Sequence, residues 1–196
     1  MKNPVPKVFI GVPCGEFTRS RTAACITALV MSSPVSIGLK WGFAGDVAEN
    51  QNIFAQQAIN TESDYLLLIE TDMIFPPDAL MRMLAHEKDI VGCLYRHREP
   101  PHDIMLWPRG EDVPQGLFYR SAVPSGLMLI HTRVLKDMKC PWFYKFYTNQ
   151  PNFMVTSDRN FCEKALASGF SAFVDGDLSR EVRHIGSTEI PLELPE

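Results

Sequence analysis

DYLLLIETDMIFPPDAL, residues 64–80, carries the clearest architectural signal in the chain. Residues 65–69 are an unbroken apolar run. Residues 64–69 therefore read as a strand covered on both faces. Glu70-Thr71-Asp72 follow at its carboxyl end. Pro76-Pro77 then opens a helix with Leu80, Met83 and Leu84 on one side, proline being favoured at a first helical position. A buried strand, an acidic turn and a helix in direct succession are the repeating unit of an α/β sheet.

The flanking sequence repeats that unit. Residues 7–12 (KVFIGV) read as a buried strand ended by Pro13 and Gly15. A helix is expected over 19–31, with Thr18 or Ser20 as its cap and Pro34 as its stop. Residues 35–40 read as a strand. Residues 47–59 read as a helix with Val47, Phe54, Ala55, Ala58 and Ile59 on one face. Residues 89–95 are a fourth strand. This alternation predicts a mostly parallel central sheet with helices on both faces. Residues 96–124 hold five prolines and read as loop with one or two short strands. Further on, a strand is expected over 126–131, a short helix around 133–138 and an extended loop over 143–155. A helix over 158–168 would be capped by Thr156 or Ser157 and closed by Gly169, with a short strand over 170–174. The tail, 187–196, is rich in proline and glutamate and is expected to fray. No linker divides the chain, so residues 1–196 are expected to form one domain with a proper core.

The 196 residues are 45% hydrophobic and 21% charged, ordinary for a globular protein. A net charge of −4 argues against a general nucleic-acid binder but leaves room for a local basic pocket. The five cysteines, at 14, 25, 93, 140 and 162, are odd in number and form no CxxC pair. Reduced thiols and a cytoplasmic location are the expectation. No signal peptide is read at the start, and the apolar runs are too short to span a bilayer.

Three features could carry chemistry. Glu70 and Asp72, spaced i, i+2 at a strand's carboxyl end, can face one divalent cation, since ligands of open α/β sheets bind there. Hard oxygen ligands suit Mg²⁺ or Mn²⁺, with nucleotide phosphates completing the shell. The competing reading is a solvated acidic turn that complements a helix dipole. His184, in His184-Ile185-Gly186, is a second candidate ligand, and an imidazole shifts the preference toward Mn²⁺. Asp158 opens a helix, where it is either dipole-stabilising or a general base taking a proton from a hydroxyl. The loop Arg96-His97-Arg98 reads as solvated or phosphate-touching. The aromatic cluster Trp142-Phe143-Tyr144 with Phe146 and Tyr147 reads as core packing or a stacking platform.

Taken in order, these segments resemble glycosyltransferases of the GT-A type, inverting and similar to family two. DYLLLIETDMIFPPDAL resembles their strand, Asp-x-Asp-type motif and following helix. TSDRNFCEKALASGFSAFVD, from 156, resembles the later segment with an acid opening a helix, and RHIG, from 183, the terminal His-x-Gly. VFIGVPCGEFTRSRTAACITAL, from 8, looks like the first strand, nucleotide-binding turn and first helix, and Gln51-Asn52 falls where Arg-Asn is frequent. The resemblance covers roughly residues 5–186.

It implies a single-domain, Rossmann-like fold that moves a sugar from a nucleotide-diphosphate donor (UDP or GDP type) to an acceptor hydroxyl. Asp72 and His184 would hold Mn²⁺ or Mg²⁺, with Glu70 and Thr71 beside the donor or metal. Asp158 would be the base. Pro13, Cys14 and Gly15 would form the turn against the nucleotide base, with Arg21 and Asn52 close to the donor. Ser125 and Gly126 would shape the floor of the acceptor side, and Trp142 and Phe143 would flank the acceptor.

The chain departs from the pattern at three places. Glu70 replaces the usual first Asp, Ser157 stands where an acid often precedes the base, and Gln51 replaces the frequent Arg. Two other readings fit the same residues: a non-catalytic nucleotide-sugar or glycan-binding module, and a sugar-nucleotide pyrophosphorylase. The acceptor, whether glycan, protein, lipid-linked or modified nucleic acid, and the oligomeric state are not written in the sequence.

Overall fold

The computed structural model describes residues 5–43, 45–106, 113–149, 154–186 and 189–190. A seven-stranded sheet forms the centre, in the order β2-β1-β3-β7-β5-β10-β6. Its members are β1 (Lys7–Pro13), β2 (Ser36–Gly42), β3 (Tyr65–Ile69), β5 (Ile90–Gly92), β6 (Leu117–Arg120), β7 (Leu127–His131) and β10 (Ala172–Asp175). β2, β1, β3, β5 and β10 run one way, and β7 and β6 run against them. The expected α/β class with a mostly parallel sheet is thus what the chain forms. The antiparallel direction of β7 was not legible in its apolar run, because direction is a property of pairing partners.

Helices cover both faces. On one side α2 (Val47–Asn60), α4 (Thr132–Asp137) and α5 (Ser157–Ala167) pack through Phe54, Val134, Leu135, Phe161 and Ala165 onto Phe9, Leu66, Leu68, Met128 and Ile130. On the other side α1 (Ser20–Ser32), α3 (Ala79–Ala85) and α6 (Gly176–Ser179) pack through Ile26, Leu29, Leu80, Met83 and Leu178 onto Val8, Ile10, Leu67, Ile69 and Leu129. Alternate residues of β1 and β3 therefore serve opposite cores, which is why both strands are apolar beyond the exposed Lys7 that opens β1.

Several expected boundaries shift. α1 begins after Arg19, and its cap position makes no side-chain hydrogen bond, so neither Thr18 nor Ser20 caps it. α3 begins at Ala79 instead of at the Pro76-Pro77 pair; the prolines form a turn in which the Pro76 carbonyl accepts from Ala79 N. The strand expected over 89–95 is only Ile90–Gly92, because the chain leaves the sheet toward the cleft described below. On α2 the buried face holds Ala48, Asn50, Gln51, Phe54, Ala55 and Ala58, whereas Val47 is exposed. The loop expected over 143–155 contains two short paired strands, β8 (Phe146–Tyr147) and β9 (Met154–Val155), and residues 150–153 lie outside the described part. α5 starts at Ser157 and is closed by Gly169 at φ +91°, where the left-handed backbone favours glycine.

A second sheet, three-stranded, joins β4 (Met73–Ile74), β11 (Arg183–Ile185) and β12 (Glu189–Ile190) in the order β12-β11-β4. Part of the tail expected to fray is thus a strand; residues 187–188 and 191–196 lie outside the described part. Among the described residues no helix is long and apolar enough to cross a membrane.

Candidate metal centre and cleft

The parallel strands deliver their following turns to one edge of the sheet. β1 ends at Pro13, and the neighbouring β3 ends directly before Glu70-Thr71-Asp72. Because β7 runs antiparallel to β3, its first residues start beside the end of β3, and Glu70 N donates to the Gly126 carbonyl at 3.1 Å. Residues 93–96, leaving β5, climb to the same edge. A cleft of about 430 Å³ opens there, lined by Pro13, Glu70, Asp72, Arg98 and His184, among others. Cavities of a few hundred Å³ are the usual size for small-molecule sites.

His184 arrives from the far end of the sequence. β11 pairs antiparallel with β4, placing His184 opposite Met73, and Ile185 N donates to the Asp72 carbonyl at 2.7 Å. This short ladder brings His184 Nε2 to 3.1 Å from Asp72 Oδ2. One ligand atom each from Glu70, Asp72 and His184 lie within 4.8 Å of one another. The imidazole is oriented from behind: Nδ1 lies 3.0 Å from the Arg96 carbonyl, which can only accept, so Nδ1 carries a proton and Nε2 faces Asp72. The edge of Tyr95 packs on the same ring at 5.2 Å between centroids. Tyr95 also accepts the Gly126 amide on its hydroxyl at 3.0 Å, and a Cβ at position 126 would lie 2.4 Å from that oxygen. Glycine is therefore required at 126 by close approach.

The charges in the cleft do not balance by themselves. Burial, reinforced by the carboxylates of Asp158 and Asp72, pushes Glu70 up to about 7. Burial also raises Asp158, with the backbone amides of Arg159 and Ser125 pulling back. Burial acts against the charge of Asp72 too, but the hydrogen bond and charge of His184 and the charge of Arg98 outweigh it and hold Asp72 below its usual range. Burial likewise works against a charged His184, and Asp72 with the Arg96 carbonyl outweighs it, raising the imidazole. Two carboxylates and an imidazole with a fixed tautomer, short of positive charge, are a donor set that fits Mn²⁺ or Mg²⁺.

The other anticipated residues fall into two groups. Pro13, Thr71, Glu70, Asp72 and His184 line the cleft. Cys14 is buried beside it, its amide donating to the Gly42 carbonyl at 2.8 Å, and burial raises its thiol. Gly15 and Arg21 are exposed. Ser125 and Gly126 lie behind the cleft floor, with the Ser125 hydroxyl donating to Glu70 Oε1 at 2.9 Å and its amide to Asp158 Oδ2 at 3.3 Å. Asp158 is only 5% exposed.

Asn52, expected close to the donor, spends its amide elsewhere: it accepts from Trp142 N and Phe143 N and donates to the carbonyls of Phe143 and Ala48. Trp142 and Phe143, expected to flank an acceptor, lie in the core. The Trp142 indole donates to the Leu135 carbonyl, and Phe143 stacks on Phe161 at 4.4 Å. Asn52 is the staple that holds them there.

Arg96-His97-Arg98, read from the sequence as solvated or phosphate-touching, belongs to a loop at the cleft. It lines the cleft with His97, Arg98 and Glu99, and Arg98 Nη1 lies 3.3 Å from Asp72 Oδ2. The signal available was two arginines, 96 and 98, a few residues after a strand that ends at the ligand-binding edge.

No family model matches the chain, and no curated protein matches it in sequence. Solved structures do resemble it. A197 from STIV aligns over 92% of this chain and 86% of its own, with a TM-score of 0.61 at 11% identity. A glycosyltransferase involved in the glycosylation of the major capsid of PBCV-1 aligns over 70% of each chain, with a TM-score of 0.41 at 12% identity. The first of these likenesses shows a shared fold.

Proposed function

We propose that the chain is a metal-dependent glycosyltransferase of the GT-A type, one domain acting in the cytoplasm. It moves a sugar from a UDP- or GDP-type donor to an acceptor hydroxyl with inversion. The observation that carries this reading is the convergence of Asp72 and His184, remote in sequence, with Glu70 at the ligand-binding edge of the sheet.

Asp72 and His184, with Glu70, would hold Mn²⁺ or Mg²⁺, which supplies Lewis-acid neutralisation of a leaving diphosphate. On the nucleotide side Pro13, Arg98 and His97 line the cleft, and Cys14, Gly15 and Arg21 would complete that side. Asp158 accepts the proton of the acceptor hydroxyl while the new C–O bond forms at the anomeric carbon and the diphosphate departs from the opposite face. Its raised proton affinity suits a base, and the amides of Ser125 and Arg159 fix its carboxylate. At 5% exposure it must be uncovered by the acceptor. Ser125 and Gly126 support this side, and Asn52 does so by holding the backbone of Trp142 and Phe143.

The test is donor hydrolysis and sugar transfer across a panel of UDP- and GDP-sugars with Mn²⁺. Turnover should vanish in excess EDTA and in Asp72→Ala. Asp158→Asn should fall about 10²–10⁴-fold with donor binding retained. Undiminished transfer in EDTA would sink the reading. The closed position of Asp158 favours one alternative, a nucleotide-sugar-binding module without turnover; binding of donor with no hydrolysis of any sugar nucleotide would select it.

A further inference from the structure

Behind the cleft, buried polar side chains form one directed chain of hydrogen bonds. Gln51 of α2 is fully buried, and Ser125 and Ser157 nearly so. A primary amide in such a place is costly unless both ends are bonded. Gln51 Oε1 accepts from Ser157 Oγ at 2.8 Å, Gln51 Nε2 donates to Ser125 Oγ at 3.0 Å, and Ser125 Oγ donates to Glu70 Oε1 at 2.9 Å. The Gln51 amide nitrogen can only donate, so the Ser125 oxygen accepts from it and turns its own hydrogen to Glu70, while the Gln51 carbonyl can only accept and takes the hydrogen of Ser157. Every link follows from the orientation of one amide.

The same serine reaches the second carboxylate, since Ser125 N donates to Asp158 Oδ2. Ser157 is the first residue of α5 and directly precedes Asp158. The chain therefore ties the start of α5, the middle of α2, the entry to β7 and the end of β3 into one polar unit. Gln51 and Ser157 are also the two positions where the sequence departs from the glycosyltransferase pattern in charge, and here they bond to each other as a neutral pair.

We propose that Gln51 and Ser157 are positioning residues for Glu70. Through Ser125 they hold one carboxylate oxygen, leave the other for the cleft, and fix the placement of Glu70 relative to Asp158. The proposal rests on the reading of Glu70 as a cation ligand. A neutral relay suits the place: it orients a carboxylate without adding net charge beside Asp72 and Asp158. Outer groups of this kind govern metal affinity through ligand orientation.

The test compares wild type with Gln51→Met, Ser157→Ala, Ser125→Ala and the double variant Gln51→Met/Ser125→Ala. Mn²⁺ affinity is read by electron paramagnetic resonance. Each single variant should bind about tenfold more weakly. The double should bind no more weakly than Ser125→Ala alone, because the link it breaks is already cut. Fully additive losses, or no loss in Gln51→Met, overturn the proposal.

A ligand-free crystal structure of Gln51→Met gives an independent answer. The Glu70 carboxylate should turn away from Ser125, and an unmoved carboxylate overturns the relay. If wild type binds no Mn²⁺, the metal reading fails, while the crystal structure still decides the relay. Should Gln51→Met not fold, Ser157→Ala takes its place in both arms.

Discussion

Arg98 and Asp72 show how one residue can serve two states of a site. The Arg98 guanidinium, 59% exposed, sits against Asp72 and partly supplies the positive charge the cleft lacks. A cation must compete with it. Arg98→Ala should therefore raise Mn²⁺ affinity several-fold without nucleotide, measured by calorimetry; equal or weaker affinity would refute the competition. Glu70 gives a prediction in pH. Its carboxyl sits at about 7 in the folded chain, above the ordinary 4.5, so the metal-free native state holds more protons than the unfolded state between those values. Stability from this group is then lost as pH rises from about 4.5 to about 7. Glu70→Gln should flatten that slope in thermal melts. Asp72 and His184 act as a pair: the held-down Asp72 loses its stabilisation as pH falls through its folded value. The raised His184 loses its share as pH climbs through its own.

At the scale of elements, α2 does more than cover the sheet. It carries Gln51 to the relay and Asn52 to the backbone of Trp142 and Phe143, so its register sets both. The register is fixed at its start by Asp46, whose Oδ1 accepts from Ala48 N at 2.6 Å. Asp46→Ala should cost about 1 kcal/mol and lower the melting temperature by a few degrees. The ion pair to Lys145, on the surface, contributes little of that. An unchanged melt would show that α2 is held by packing alone. The strand–helix succession across residues 7–95 made most elements of that half legible, since burial on two faces forces unbroken apolar strands. The polar positions of α2 were not legible as a buried face: the face read from its apolar residues leaves out Asn50 and Gln51, whose burial depends on distant partners.

For the whole molecule, the site exists because a seven-stranded sheet brings separate turns to one edge and a small second sheet carries His184 over them. Phe54 is central to that frame: it is fully buried on β1, and a Cβ at Gly11 would lie 2.4 Å from its ring. Phe54→Ala should cost about 3–5 kcal/mol in chemical denaturation. A loss below about 1 kcal/mol would mean that the neighbouring helices collapse into the space. From the linear chain came the α/β class, the acidic turn at a strand's carboxyl end and the candidates Asp72, His184 and Asp158, because local periodicity and residue chemistry are read within a few positions. Folding alone settled the antiparallel course of β7, the docking of β11 on β4, the descent of Arg98 onto Asp72, and the burial of Trp142 and Phe143. Each of these depends on which distant backbone supplies the partner hydrogen bonds, and no short stretch of sequence records that choice.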